Sequence, residues 1–444
     1  MPRVRPAVLA LGLAGLAGLA APLGAQTLPP LERRIRSAVV AAHEQQIAFL
    51  QRVVDVPSST LNLEGVTRVG AMFRAALDSL GFTTRWAPMS AEMHRAGHLI
   101  AEHRGRAGNV RMLLIGHLDT VVEPDGPNFV REDSMARGVG SGDMKGGDAI
   151  ILYALTALEQ AGALRDLNLT VVLTGDEEFA GEPLEAARRD LIEAARRNDV
   201  ALAFEGGNRS DATVARRGAS GWHLTATGRQ AHSGGVFGRG TGFGAIYEIA
   251  RILDAFRAQL AGEQYLTFNV ATIVGGTDVT YDTAEVRGTA AGKLNIVPRL
   301  ATAHGDLRFI SEEQKERVRE RMRGIVAQHL PLTDASITFQ DEYPAMSPTA
   351  GNARVLALYD SASQDLGYGP VAALDPGRRG AGDISFVAPL IDGIDGLGAL
   401  GTGSHTPGER VDLGALQMQT ERAALLLLRL GARRGEEFAR RPTP

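Results

Sequence analysis

The sequence predicts an α/β fold with a mostly parallel sheet, interrupted by an inserted α+β unit of ferredoxin-like layout. Three observations lead there. Short apolar runs alternate with helix-like stretches, the order that parallel βαβ units require. A block with a different order, two helices among four strands, separates the two parts of that alternation. Motifs rich in glycine, acids and histidine follow directly on the apolar runs, at the strand ends where open α/β sheets receive ligands.

Residues 1–25 come first. Arg3 and Arg5 precede an apolar stretch over 7–20, and Gly24-Ala25 offers a small-residue exit. That pattern predicts a secretory signal peptide, and hence a periplasmic or secreted protein with no stable membrane span after processing. Without Arg3 and Arg5 the formal charge moves from −4 to −6, which favours neither nucleic acid nor an anionic membrane. The chain has no cysteine, which excludes disulfides, thiolate metal sites and a lipid anchor through an N-terminal Cys. With 44% hydrophobic and 22% charged residues it can bury a large core.

The first catalytic-type part spans 26–215. Residues 31–52 place Ala, Val and Leu at helical spacing. Residues 110–115 form a buried-strand run ending at Gly116, and 168–174 and 199–204 have the same form. Helices are expected over 146–161 and 185–195. The inserted unit, 216–331, reads as strand 221–228, helix 242–260, strands 265–274, 289–296 and 301–309, and helix 312–329. Ser311 and Gln314 open that last helix as a capping box. The second part, 332–444, ends in a helix over 412–434, with a frayed tail over 440–444.

Five side chains of metal-ligand type lie in short motifs: His117 in GHLDT, Asp143 in GSGDMKGG, Glu178 in TGDEEFAG, Glu205 in AFEGG and His405 in GTGSHTPGE. Two imidazoles and three carboxylates match what a pair of zinc-like ions needs, with a bridging carboxylate between ions about 3.5–4 Å apart. Asp119 follows His117 by two and can fix its ring tautomer and basicity. Asp143, in a tight glycine-rich backbone, suits a bridging ligand. The GSGDMKGG loop lacks phosphate-loop spacing, and its acid would repel phosphate. Adjacent acids in TGDEEFAG can divide the work, Glu178 holding a metal and Glu177 taking a proton from the attacking water. Taken singly, each motif also fits a blander role: a strand-end turn, a surface loop, or a helix start whose acids favour the dipole. Jointly they form a complete donor set for metal-assisted hydrolysis.

In order, GHLDT, GSGDMKGG, DEE, the strand-end acid, GRQAHSGG, NIVP and GTGSHTPGE resemble the co-catalytic zinc peptidases and amidohydrolases. That family includes glutamate carboxypeptidase, aminoacylase, succinyl-diaminopimelate desuccinylase and related dipeptidases. The resemblance runs from about Ala38 to Leu430. It implies that Asp143 bridges two Zn2+ per subunit, with Co2+ or Mn2+ as admissible substitutes. His117 and Glu205 complete one site, Glu178 and His405 the other. It further implies that the insert is a dimerisation or lid domain of a homodimer. His232 of GRQAHSGG then reaches the partner's active site to stabilise an oxyanion, and Asn295 and Arg308 contact substrate. Glu205, rather than Asp, tilts the expectation toward carboxypeptidases and deacylases. The substrate expected is a small peptide or N-acyl amino acid. An N-acyl amino acid deacylase on the same metals and a non-catalytic binding protein are the alternatives. The pair Arg216-Arg217 is open between meeting a substrate carboxylate and a hinge-surface role.

Overall fold

The computed structural model describes residues 28–438. In chain order its principal helices are α1 (Pro30–Val54), α2 (Leu63–Ser79), α3 (Lys145–Gln160), α4 (Arg189–Arg197), α5 (Ala245–Leu260), α6 (Glu312–Val326), α7 (Ala350–Asp365) and α8 (Leu413–Gly431). The strands that matter to the site are β1 (Thr83–Ala87), β2 (His98–His103), β3 (Arg111–His117), β4 (Asn168–Thr174), β5 (Val200–Ala203), β6 (Gly218–Gly228), β7 (Thr267–Gly276), β8 (Leu300–Phe309), β9 (Thr333–Asp341) and β10 (Asp392–Ile394). The leader over 1–25 and the tail over 440–444 lie outside the described residues. Among the described residues no helix is long and apolar enough to cross a membrane.

A six-stranded sheet runs in the order β1-β2-β4-β3-β5-β10. β3 pairs in parallel with both β4 and β5, and β10 with β5, whereas β2 runs against both its neighbours. Burial on both faces explains the unbroken apolar runs. Met112 and Leu114 of β3 join the cluster that holds Ile35 of α1, Ile150 of α3 and Leu425 of α8. Leu113 and Ile115 face the other way, onto Leu191 and Ala194 of α4. α3 presses close to the sheet edge at Gly147, where a Cβ would sit 2.0 Å from the Phe204 carbonyl oxygen. The glycine of GSGDMKGG is thus a packing requirement.

The second sheet is antiparallel, in the order β7-β8-β6-β9. α5 and α6 cover one face through Ile249, Ile252, Phe256, Val318 and Met322, packed on Trp222 and Leu224 of β6. Its membership differs from the sequence expectation at one strand. Residues 289–296 do not join it; Arg287–Ala291 pairs with Asp278–Asp282 in a separate hairpin. The fourth strand is β9, beyond the expected end of the insert at 331. The reason is patterning: β9 turns Ala335, Ile337 and Phe339 onto the apolar cluster at period two, while Leu294 in the other segment is fully exposed.

Two smaller differences are informative. The helix expected over 185–195 is broken into Leu184–Ala187 and α4 at Arg188, whose side chain turns inward and is completely buried. The start of α6 is capped by Ser311, whose Oγ accepts from Gln314 N at 3.1 Å. The return arm goes elsewhere: Gln314 Oε1 accepts from Ile310 N at 2.8 Å.

Candidate metal centre

His117 is the last residue of β3 and is 1% exposed. Its Nδ1 faces Asp119, 3.1 Å from the main-chain oxygen and 3.5 Å from Oδ1, which leaves Nε2 free to point outward from the strand end. That Nε2 lies 3.4 Å from Asp143 Oδ1 and 3.5 Å from Glu205 Oε1. On the other side, His405 Nε2 lies 3.2 Å from Asp143 Oδ2 and 3.3 Å from Glu178 Oε2. Each oxygen of Asp143 therefore faces a different imidazole.

The supports are as specific as the donors. Asp119 is fully buried, takes the Thr60 hydroxyl at 2.6 Å, and accepts the backbone N–H groups of both Glu177 and Glu178 at 3.1 Å. Its main-chain oxygen thus orients His117 while its carboxylate pins the paired acids. The Asp143–Met144 peptide is cis. The loop around it is held from across the chain by Glu409, whose carboxylate accepts from Gly140 N, Gly142 N and Asp143 N at 2.7–2.8 Å. His405 has φ +64°, a left-handed conformation uncommon for a side-chain-bearing residue, and Thr406 closes the turn onto the Gly403 carbonyl.

Behind the paired acids lies a buried network. Arg188 donates to Asp176 Oδ1 and to Asp383 Oδ1, each at 2.7 Å, and Thr174 donates to Asp383 Oδ2 at 2.6 Å. Tyr343 OH donates to the Glu177 carbonyl oxygen at 3.2 Å. Arg216 is also committed inward, to Asp395 and to the carbonyls of Gly380 and Ala381. Of the two roles left open, a substrate carboxylate or a hinge surface, the second does not describe Arg216, which is 4% exposed. Arg217 donates to the Thr267 hydroxyl on β7 of the antiparallel sheet.

Electrostatics gives the cluster its character. Burial, together with the negative charge of Glu205, raises the Glu177 carboxyl well above the usual range. Burial pushes Glu178 up to about 8, and Asp143 adds to the shift against the pull of His117. Glu205 rises to about 7, again chiefly through burial. Two buried atoms, His117 Nε2 and Glu178 Oε1, have no hydrogen-bond partner among the described residues. Donor atoms of His117, Asp143 and Glu178 lie within 4.8 Å of one another, as do those of His117, Glu177 and Glu205. Crowded carboxylates, orphaned buried donors and two facing imidazoles fit a pair of divalent cations.

Three residues named from sequence lie apart from this cluster. His232 is exposed in the inserted unit, with Nδ1 accepting from Gly234 N at 3.1 Å. Asn295 is beside it, its carbonyl taking Ser233 N at 2.9 Å. Arg308, on β8, pairs with Asp306 at 2.9 Å. Residues that sequence reasoning passed over are Glu409, Arg188 and Asp383. Glu409 closes the GTGSHTPGE motif, and that position was its only signal.

A family model described as a peptidase dimerisation domain matches residues 214–334. The chain is 28% identical over 410 residues to carboxypeptidase G2 of Pseudomonas sp. (strain RS-16), covering 88% of this chain and 91% of that one. Among solved structures it resembles the aminopeptidase PepT from Bacillus cereus, with TM-score 0.67, 18% identity, and coverage of 87% and 98%. It also resembles a dinuclear metal-binding peptidase, YXEP of Bacillus subtilis, with TM-score 0.61, 16% identity, and coverage of 88% and 99%. Relatives such as PepT are cytosolic enzymes, which overturns the periplasmic or secreted location read from residues 1–25.

Proposed function

Because the chain belongs to the M20 family of metal-dependent peptidases and amidohydrolases, we propose that it hydrolyses one amide bond of a small peptide or N-acyl amino acid beside a free carboxylate. Two zinc ions are assigned to this chain's donors: His117, Asp143 and Glu205 around one, Asp143, Glu178 and His405 around the other. Asp143 carries that assignment, since its two oxygens face His117 and His405 at 3.4 and 3.2 Å. When bound, such an ion pair supplies an acidified water and a polarised carbonyl.

The chain's own residues supply the rest. Glu177 accepts the proton of the attacking water and returns it to the leaving nitrogen; a carboxyl whose proton affinity is raised by burial is a stronger base than a free glutamate. Asp119 keeps His117 in one tautomer and holds the backbone of Glu177 in place. His232 is assigned to oxyanion stabilisation from a second subunit, and Asn295 and Arg308 to substrate contact.

A homodimer is part of the proposal. The matched domain is described as a dimerisation domain. β7 is an edge strand of its sheet, with Val270 and Ile273 exposed on it. Ile246 and Tyr247 on α5 are exposed too, and Ile246 lies against Gly275 of that edge. An apolar strip along an open edge favours pairing with a second copy.

The test is hydrolysis by the zinc-loaded protein across dipeptides, C-terminal glutamate amides and N-acyl amino acids. Cleavage that requires a free carboxylate next to the scissile bond supports the proposal. No cleavage by protein carrying two zinc ions per subunit contradicts it.

A further inference from the structure

We infer that Tyr281 is a positioning residue: seated on the paired rings of His223 and His304, it holds a surface hairpin whose outgoing chain sets Asn295 and the His232 loop for the reaction. The inference rests on the hydrolase reading and on its assignment of His232 and Asn295. It adds a control element away from the metal-ligand cluster.

The hairpin of Asp278–Asp282 and Arg287–Ala291 lies over the face of the antiparallel sheet that α5 and α6 leave open. A two-stranded hairpin by itself is marginally stable in water. In this one Asp278, Thr280 and Asp282 are exposed, while Val279 and Tyr281 are half-buried, so those two side chains attach it to the sheet. Tyr281 is the larger. Its ring stacks on His223 with centroids 5.5 Å apart and planes 13° apart, and it meets His304 edge-on at 6.2 Å. The two histidines are direct cross-strand partners on β6 and β8, with ring centroids 5.8 Å apart. The Tyr281 and Thr272 hydroxyls share a hydrogen bond of 2.5 Å, which ties the same ring to β7. The His223 ring is fixed in turn: the Thr302 hydroxyl donates to the Leu224 carbonyl at 3.1 Å, so it accepts from His223 Nε2 at 2.6 Å. Gly288 stands opposite Tyr281 in the hairpin, and a Cβ there would lie 2.7 Å from the tyrosine ring. A glycine at that point gives the ring its seat.

The hairpin leads straight to residues assigned to the substrate. Its base is closed by Thr277 N donating to the Ala291 carbonyl at 2.9 Å, and Gly292, Lys293 and Leu294 then run to Asn295. The next residues support the His232 loop. The Asn295 carbonyl accepts from Ser233 N at 2.9 Å, Val297 N donates to the Ala231 carbonyl at 2.8 Å, and Ile296 bridges to His232. Residues 292–295 are all exposed, so their own side chains pack against little. Their course is set by the hairpin at one end and by the pairing with 231–233 at the other. Misplacement of a substrate-contacting group by about 1 Å can cost about 100-fold in rate, so an anchor remote from the metals acts through that segment.

The experiment uses the full-length zinc-loaded protein as wild type, Tyr281→Ala, Tyr281→Phe and His223→Ala, with zinc content and circular dichroism measured in each. Peptide-resolved hydrogen exchange follows residues 278–291 and, separately, 292–297. Tyr281→Ala should lose protection by about tenfold or more in both stretches. Its kcat/KM on the best substrate should fall by about tenfold or more, carried by kcat, with zinc content unchanged. Tyr281→Phe keeps the stack and should retain most of both. His223→Ala removes the seat from the sheet side, and adding it to Tyr281→Ala should open the hairpin no further. Unchanged exchange of 278–291 in Tyr281→Ala overturns the inference and leaves the hydrolase standing. So does an open hairpin with 292–297 and turnover as in the wild type. Joint loss of protection in both stretches, with no hydrolysis even by the wild type, supports the coupling and counts against the hydrolase.

Discussion

Arg188 Nε and Asp383 Oδ1 lie 2.7 Å apart, joining positions 195 residues apart in the chain by an ion pair sealed from solvent. The same guanidinium holds Asp176, the residue before the paired glutamates. Arg188→Ala would leave two buried carboxylates without their cation. Its unfolding free energy in urea should drop by about 3–5 kcal/mol, the usual cost of breaking a buried pair. A drop of only about 0.5 kcal/mol, as for a surface substitution, would deny the network a structural role.

Glu409 is not one of the five metal-type donors, yet it accepts three backbone N–H groups of the loop that carries Asp143. Glu409→Ala should weaken zinc binding by about 10–100-fold, the range found when supports behind metal ligands are removed. Metal content after dialysis against a competing chelator checks this, with circular dichroism to show that the fold is kept. Wild-type zinc retention would mean the loop holds its shape unaided.

The Asp119 carboxylate holds the backbone of both glutamates, while its main-chain oxygen, which alanine would keep, faces His117. Asp119→Ala should therefore lower kcat/KM by more than tenfold even at saturating zinc, because supplying metal restores occupancy but not the position of Glu177. Thr60→Val, which removes one donor to Asp119, should cost less. Equal losses in the two variants would point to general disruption rather than positioning.

Removing the ions should make stability depend on pH in a defined direction. Without cations, burial holds Glu178 near about 8 and Glu205 near about 7, above the ordinary 4.5. Such a carboxyl keeps its proton more tightly when folded than when unfolded. Its penalty is absent below about pH 4.5 and grows as pH rises toward about 8. Chelator-treated protein should thus lose melting temperature steadily between about pH 5 and 8, more than zinc-loaded protein does. Parallel melting curves for the two forms across that range would contradict the charge balance described for the cluster.

The parts legible in the sequence share a cause. β3, β4 and β5 are buried on both faces, so they appear as apolar runs, and His117 is read directly from the end of one. α1, α5 and α8 show helical apolar spacing over many turns. Edge and amphipathic elements were harder: β1 alternates exposed and half-buried residues and gave no run to notice. Residues 289–296 carry β-permitting residues without a face to bury, whereas β9 has that face but lay past the assumed boundary. The five metal-type side chains that the fold brings together were legible because each sits in a distinctive local motif. Glu409, Arg188 and Asp383 did not, because their meaning lies in contacts made across the chain. An arginine in an AARRD stretch carries no local sign that it will be fully buried.

The assignment of Glu177 as the base, apart from the ligands, is the central claim, and Glu177→Gln tests it most directly. Zinc per subunit and hydrolysis of the best substrate from the panel are measured on the same preparation. The account predicts two zinc ions bound as in the wild type and turnover reduced by at least about 100-fold, the scale of a lost general base. Near-normal turnover with both ions in place would contradict it.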